Sequence, residues 1–510
     1  MPDSPSRPGP AEGPRWPGQL AAIDMGSNSF RLEIGQLIDG RYRRIDYQKE
    51  TVRLGAGLDA NGLLTDAAGA RGLACLARFA QRLKGFTPAQ VRAVATQTLR
   101  EARNRDAFLI RAQGALGFPI EVISGREEAR LIYAGVARLQ PSTVPRLVVD
   151  IGGRSTEMIL GHGSRPVRAE SFQVGSVSLS MRYFGDGRFT EAAFRQAQIA
   201  AGAELEEALE PFAAANWQEA LGSSGTVGAV SQLLAASDVT DGRITPEGLR
   251  WLMQQCLRAG KVDKLVLPGL KEERRAVIAG GLSILYTLAA NFGIEALLPA
   301  RGALRQGVIF DLDERSKAAE LRHDGHDIRD ASVRELQRRF MVDTQQAGRV
   351  SGVAQALYAS VQPGAGAEMR RELLWACALH EIGMMISHHD HHRHSAYVLD
   401  HVDAPGFSQS QLRRLGALVL GQRGGLRKIE TSLTRDDFAW QVLCLRLGAI
   451  KCHARGDVST DAIRLQRDAT TAALSFDAGW TDGHPRTRHL LEEEAAMWAR
   501  SGPLKLELRR

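Results

Sequence analysis

Cysteine is scarce in this chain, and what there is does not cluster. The five cysteines among 510 residues stand at positions 75, 256, 377, 444 and 452, with no CxxC pair among them. Such scatter fits reduced thiols better than a disulfide framework or a zinc site. Long hydrophobic runs are missing too: no uninterrupted apolar stretch reaches the ~18 residues that a bilayer span requires. The N-terminus, Met1-Pro2-Asp3-Ser4-Pro5-Ser6-Arg7-Pro8-Gly9-Pro10, lacks the apolar core of a signal peptide. Residues 1–17 are therefore expected to be a disordered tail on a cytoplasmic protein. The rest is ordinary for a folded soluble chain, 44% hydrophobic and 24% charged. The length suggests roughly three or four domains. The formal charge of +7 fits either a solvated basic surface or a polyanionic ligand drawn in by the summed field. Charge alone does not choose between nucleic acid, polyphosphate and anionic lipid.

What is present, twice, is one short pattern. Ile23-Asp24-Met25-Gly26-Ser27-Asn28-Ser29 follows the apolar run Leu20-Ala21-Ala22. Val149-Asp150-Ile151-Gly152-Gly153-Arg154-Ser155-Thr156 follows Leu147-Val148. Asp, Gly and Ser keep the same register in both. A strand that ends in an acid and then turns on glycine gathers backbone N–H groups and hydroxyls at one point. Such a turn cradles an anion, and the acid can hold a divalent cation. Two turns about one domain apart predict two related halves clasping a phosphate.

Strand and helix signals alternate from residue 18 to 135. Arg31 to Leu37 reads as a half-buried strand, Asp39-Gly40 as a hairpin turn, and Ala67 to Leu83 as an amphipathic helix. Val91 to Thr96 reads as another strand. Residues 136–315 repeat this logic, so an α/β architecture in two lobes is expected. From about Asp313 the pattern becomes helical, with predicted helices at Val333–Phe340, Thr344–Val361 and Glu368–His380. This gives an all-helical domain at 316–425, a boundary at Gly424-Gly425, and a small α/β appendage at 426–510.

Several residues are candidates for chemistry. Ser124-Gly125 ends a strand and opens a helix whose first turn carries Glu127 and Glu128. Acids there offset the helix dipole. Neighbouring helical residues point about 100° apart, so only one of the two faces a cleft. A carboxylate beside a bound phosphate can take a proton from an attacking water. Arg100 is either a bidentate phosphate clamp or a surface arginine. Gly222-Ser223-Ser224-Gly225-Thr226 is a third small-residue turn, in isolation most often a helix N-cap. His380-Glu381 and the run His388, His389, Asp390, His391, His392 and His394 fit either metal ligands or exposed imidazoles.

Taken together, these motifs resemble the exopolyphosphatase / guanosine pentaphosphate phosphohydrolase family. The resemblance is carried by Ala22-Ile23-Asp24-Met25-Gly26-Ser27-Asn28-Ser29-Phe30, Thr98-Leu99-Arg100-Glu101-Ala102, Ile123-Ser124-Gly125-Arg126-Glu127-Glu128-Ala129-Arg130 and Val149-Asp150-Ile151-Gly152-Gly153. Gly225-Thr226, Gly302-Ala303-Leu304-Arg305, His380-Glu381-Ile382-Gly383 and His392-Arg393-His394-Ser395-Ala396-Tyr397 extend it over almost the whole chain beyond the tail. The length is similar to that of the long, four-domain exopolyphosphatases. The fold implied is duplicated actin-like (ribonuclease H-like) ATPase-fold lobes, then a helical HD-like domain and a small C-terminal α/β domain. The resemblance implies that Glu128 activates water for in-line attack on a terminal phosphoryl group. It implies Asp150 as the holder of Mg²⁺, with Glu157 assisting. Ser27, Asn28, Ser29, Arg100, Gly152, Gly153, Ser155, Thr156, Gly225 and Thr226 would hold phosphates. It further implies a homodimer acting on inorganic polyphosphate or guanosine pentaphosphate, with no nucleic-acid partner. Peripheral attachment to the inner membrane is the alternative to a purely cytoplasmic location. HD-type metal chemistry is not carried over, because Glu rather than Asp follows His380.

Two departures stand out. Arg154 replaces the third glycine of the usual DIGGGS loop. If that position needs φ > 0, arginine is strained there; if not, a bulky cation stands beside the phosphate site, where it tightens product binding or blocks entry. Ala300-Arg301 and Gln306 stand where related sequences commonly carry Ser-Asp and Glu, so this stretch gains positive charge. The leading expectation is an exopolyphosphatase. The alternatives are a guanosine pentaphosphate 5′-phosphohydrolase, a catalytically weakened polyphosphate-binding protein, and an ATP-using kinase or chaperone of the same fold.

Overall fold

The computed structural model describes residue 16 and residues 18–320, 327–456 and 462–509, the side chains of 318–320 excepted. The expected tail, residues 1–17, lies outside the described residues apart from Trp16. The chain forms two compact units, one up to Lys317 and one from Ala318 onward.

The first unit contains the same sheet twice. Its first sheet is made of β1 (Gln19–Met25), β2 (Ser29–Ile38), β3 (Arg41–Thr51), β4 (Val91–Ala95) and β5 (Ile120–Val122). Its second is made of β6 (Arg146–Ile151), β7 (Thr156–His162), β8 (Arg165–Phe172), β9 (Glu219–Ser223) and β10 (Leu297–Pro299). The strand orders are β3-β2-β1-β4-β5 and β8-β7-β6-β9-β10. In each, the first three strands form an antiparallel meander and the last two run parallel to the first. The sequence repeat is thus a repeat of topology. The central strands β1 and β6 are buried on both faces, as their unbroken apolar runs predict. The β2–β3 hairpin turns at Asp39 (φ 50°) and Gly40 (φ 76°), a pair of left-handed residues that matches the twist of the strands.

Helices α1 (Asp66–Arg82), α2 (Gln97–Glu101), α3 (Arg105–Leu116) and α4 (Gly125–Leu139) belong to the first half. Helices α5 (Ser176–Tyr183), α6 (Glu191–Leu205), α7 (Gly225–Ala236), α8 (Pro246–Ala259) and α9 (Glu272–Phe292) belong to the second. Helix α10 (Leu304–Glu320) returns against α4. The two sheets have separate cores, and a third core joins them: Ala22, Val94, Val148 and Leu221 from the strands meet Ile132 of α4 and Val308 and Ile309 of α10. Helix α9 is long and apolar enough to cross a bilayer by length and composition, although it escaped a count of uninterrupted apolar residues. It is largely buried, with Ile278, Leu282, Leu285 and Leu288 in the second-half core.

The second unit contains α11 (Ile328–Arg339), α12 (Thr344–Val361), α13 (Ala367–Leu379), α14 (His391–His401), α15 (Gln409–Gly421), α16 (Glu430–Leu433) and α17 (Asp436–Lys451). A sheet of β11 (Ile463–Asp468), β12 (Thr471–Phe476) and β13 (Lys505–Arg509) follows, interrupted before its last strand by α18 (Trp480–Gly483) and α19 (Pro485–Ser501). The expected boundary at Gly424-Gly425 does not divide two cores. Trp440 and Trp498 share one core with Leu357 and Trp375. Helix α17 is buried almost all round, and its packing against α12 and α15 fuses the segments that sequence reading separates.

Candidate active site

The two repeated turns meet in one cavity of about 380 Å³ in the first unit. Both close in the same way. A Cβ on Gly26 would lie 3.2 Å from the Ser29 carbonyl oxygen, and one on Gly152 would lie 3.0 Å from that of Ser155. Each glycine therefore lets the chain fold back closely on itself, and in the second turn the Gly152 amide donates to the Ser155 carbonyl at 2.9 Å. The turns also touch each other: a Cβ on Gly153 would stand 3.1 Å from the Ser27 Cβ. Thr98 donates to the Ser27 hydroxyl at 2.8 Å. The Ser29 hydroxyl is buried and has no hydrogen-bond partner among the described residues. A buried hydroxyl without a partner is costly unless a ligand satisfies it.

Ser27, Asn28, Ser29, Gly152, Gly153, Ser155, Gly225, Thr226, Asp150 and Glu128 all line this cavity. Three expected site residues do not. Thr156 is fully buried and donates to the Val174 carbonyl at 2.6 Å. Glu157 stands directly across the β6–β7 ladder from Asp150, behind the lining, and accepts from Ser171 at 2.7 Å. Arg100 also stays behind the lining. Its Nη1 donates to Glu128 Oε2 at 2.8 Å and to the Ile123 carbonyl at 3.0 Å, and its other nitrogens bond to Gln97. Arg100 thus holds the carboxylate rather than an open phosphate position.

The two glutamates of α4 diverge as their spacing predicts. Ser124 caps the helix by accepting from the Glu127 amide. Glu127 turns inward to Arg130 at 2.7 and 2.9 Å, while Glu128 faces the cavity. Burial pushes the Glu128 carboxyl above its usual range, against the pull of Arg100. Burial raises Asp150 to about 7, opposed by a hydrogen bond from Ser223 and reinforced by the Glu128 charge. Glu157 is raised well above its usual range by burial and by Glu128 and Asp150. These carboxylates repel one another, and Asp150 and Glu157 form no ion pair among the described residues. Among those residues no group of three His, Cys, Asp or Glu converges as a ligand set.

The third small-residue turn is both a cap and part of the lining. Ser224, at φ 127°, accepts from the Thr226 and Val227 amides. Arg274 lies across it: a Cβ on Gly225 would meet the Arg274 guanidinium at 2.2 Å. Further cations line the cavity from Arg31, Arg44, Lys49, Arg301 and Arg305. Sequence reading missed the first three because solvent-facing positions of an antiparallel sheet are ordinarily charged, and Arg274 because a charged residue near the end of a helix is equally ordinary. Their crowding is the signal: burial and the neighbouring Arg31 lower the pKa of Arg274, and burial and Arg274 lower that of Lys49. Arg305 is bonded to Glu33 at 3.1 Å and lies 3.7 Å from Asp24. Gln306 donates to Glu33 at 2.5 Å, so of the altered stretch Arg301 is the added, exposed charge.

Arg154 adopts no positive φ, so the loop does not strain it. It does not line the cavity. Its guanidinium reaches Glu101 at 2.9 and 2.6 Å and the Gly55 carbonyl at 3.3 Å. The histidine run does not build a metal centre among the described residues. His380 Nδ1 lies 2.7 Å from the Cys377 carbonyl. Glu381 is engaged by Arg455 at 2.5 Å. Burial pushes His391 and His392 down to about 4.

Comparison with known proteins gives the family to which the chain is similar. Residues 36–316 match the Ppx/GppA phosphatase family, and residues 328–495 match Ppx/GppA phosphatase, domain III. An exopolyphosphatase from Cytophaga hutchinsonii is similar over 58% of this chain and 98% of its own, at 24% identity and a TM-score of 0.52. An exopolyphosphatase-like protein is similar over 58% of this chain and 97% of its own, at 25% identity and a TM-score of 0.51. The PPX-GPPA enzyme of Aquifex aeolicus covers 58% of this chain and 99% of its own at 26% identity, with a TM-score of 0.49.

Proposed function

The chain belongs to the Ppx/GppA phosphatase family, and from that premise we propose that it is an exopolyphosphatase, releasing terminal orthophosphate from inorganic polyphosphate. One observation carries the reading: the Glu128 carboxylate faces a cavity walled by two phosphate turns and rimmed by cations. The sole aromatic residue among the lining residues is Tyr47, and the guanidinium groups of Arg44 and Arg305 lie 5.6 and 5.2 Å from its ring centre. A nucleobase thus meets a single aromatic ring already approached by two guanidiniums, whereas a chain of phosphates meets cations along the wall. Arg154 does not line the cavity, which counts against reading the chain as a catalytically weakened polyphosphate-binding protein.

In the proposed reaction, Ser27, Ser29, Ser155 and the loop amides hold the terminal phosphates. Glu128, oriented by Arg100, takes a proton from water as the water oxygen bonds to the terminal phosphorus. The bridging P–O bond breaks, leaving orthophosphate and a chain one unit shorter. A raised carboxyl pKa suits a base working near neutrality. No bond between enzyme and phosphate is needed. The donor set fits magnesium, which takes one or two carboxylates and completes its shell with water and substrate phosphates. Asp150 would hold it with Glu157 behind, and when bound it would neutralise charge on the transferred group.

Guanosine pentaphosphate tests the substrate assignment. With both substrates assayed under Mg²⁺, kcat/KM is expected to favour long-chain polyphosphate. A clear preference for the nucleotide would transfer the assignment to 5′-phosphohydrolysis.

A further inference from the structure

Arg154 is the residue that sequence comparison makes conspicuous and the cavity does not use. Its side-chain polar contacts run to Glu101 and Gly55, in the first half of the unit. Glu101 Oε2 accepts from Arg154, and Glu101 Oε1 accepts from Gln97 Nε2 at 2.6 Å. The other end of the Gln97 amide, Oε1, accepts from Arg100 Nε at 2.9 Å and from Nη2 at 2.5 Å. That leaves Arg100 Nη1 for Glu128, at 2.8 Å. Every link has one donor and one acceptor. Reversing the Gln97 amide would set N–H against N–H at Arg100 and oxygen against oxygen at Glu101.

We propose that Arg154 is a positioning residue: through the chain Arg154, Glu101, Gln97, Arg100, Glu128 it couples the second phosphate turn to the carboxylate that activates water. The proposal rests on the exopolyphosphatase reading given above. Arg154 alone of the five comes from the second half of the unit. It reaches Glu101 because the two turns lie against each other, with Gly153 packed on Ser27. Gly55 completes the socket: the Arg154 Cδ lies 3.0 Å from where its Cβ would be, so any larger residue there crowds the arginine. Correct seating of the second turn and correct orientation of the base become one event. Without Arg154, Glu101 loses its ion-pair partner among the described residues, and Arg100 is the other guanidinium held on the same Gln97 amide. Drawing Arg100 toward Glu101 takes it from Glu128. The base is then misplaced although the phosphate contacts survive.

The test is steady-state polyphosphate hydrolysis by the full-length, Mg²⁺-loaded protein. Arg154→Gly, Glu101→Gln and Gln97→Leu are compared singly, and Arg154→Gly is combined with Gln97→Leu. Displacing a reacting group by a fraction of an ångström to an ångström lowers turnover by roughly 10- to 100-fold. Each single variant is therefore expected to lose kcat on that scale with KM nearly unchanged. The double variant is expected to be no worse than Gln97→Leu alone, because residues acting through one network are not additive. A merely structural role would give multiplying losses and matching falls in thermal stability. Glu101→Gln keeps size and shape, so it carries the test if Arg154→Gly folds poorly. Wild-type kcat in Glu101→Gln and Arg154→Gly, or a rise in KM with kcat intact, would overturn the proposal. Glu128→Gln separates the two levels. If it is inactive while the relay variants are normal, only the relay fails; if it stays active, the reading of the site fails as well.

Discussion

At the scale of single residues, the site is a set of carboxylates that folding brings together against their electrostatic preference. Asp150 shows the consequence. Its folded pKa of about 7 exceeds its ordinary 3.8, so between those values the native state binds more protons than the unfolded one. Stability then falls as pH rises through this window. Metal-free protein is expected to melt at progressively lower temperature as pH rises from about 4 to about 7, and Asp150→Asn to flatten that slope. Thermal unfolding across pH measures both, and an unchanged slope in the variant would refute the assignment. Helical geometry made it legible that only one of Glu127 and Glu128 faces the cavity; which one came from the family resemblance. The role of Arg100 was only half legible: sequence marks a guanidinium near phosphate, but the competition between phosphate and Glu128 is decided by where Gln97 and Ile123 anchor it. Thr156 was misread because the position after a phosphate turn is already strand, where its hydroxyl caps a carbonyl.

At the scale of elements, what keeps Glu128 in place is the seat of α4. Arg92, Arg130 and Arg315 converge on the buried Asp311 of α10, each at 2.6 Å, and Arg130 also holds Glu127. The three guanidiniums keep the Asp311 carboxyl well below its usual range. Helices α4 and α10 also approach too closely for side chains: a Cβ on Gly307 would stand 1.7 Å from the Leu131 carbonyl oxygen. Removing one partner of a buried ion cluster costs about 3–5 kcal/mol. Asp311→Asn is accordingly expected to lose stability on that scale in denaturant titrations, and a loss below about 1 kcal/mol would show the cluster to be dispensable. The helices themselves were readable from periodicity. The seat was not, because Arg130 and Arg92 stand 181 and 219 positions from Asp311 and no local pattern links them.

At the scale of the whole molecule, the duplication was legible because both copies keep Asp, Gly and Ser in one register, and the two five-stranded sheets repeat one strand order. The single core of the second unit was not, since the Gly424-Gly425 break is a local turn whereas the packing of Trp440 and Trp498 is long-range. The net positive charge takes on a location at the cavity rim. Long-chain polyphosphate is expected to bind less tightly as salt rises, since exposed charges are screened beyond ~8–10 Å near physiological ionic strength. Arg301→Ala should raise KM most at low salt, and a salt-independent KM would show that the rim does not steer the substrate.

The central claim is that Glu128 is the base of a polyphosphate hydrolase. Orthophosphate release from long-chain polyphosphate with Mg²⁺, measured for the wild type and Glu128→Gln alongside direct polyphosphate binding, tests it most directly. The account predicts a loss of roughly 10²–10⁴-fold in release with binding retained. Equal release by the variant, or none by the wild type despite tight binding, would contradict it.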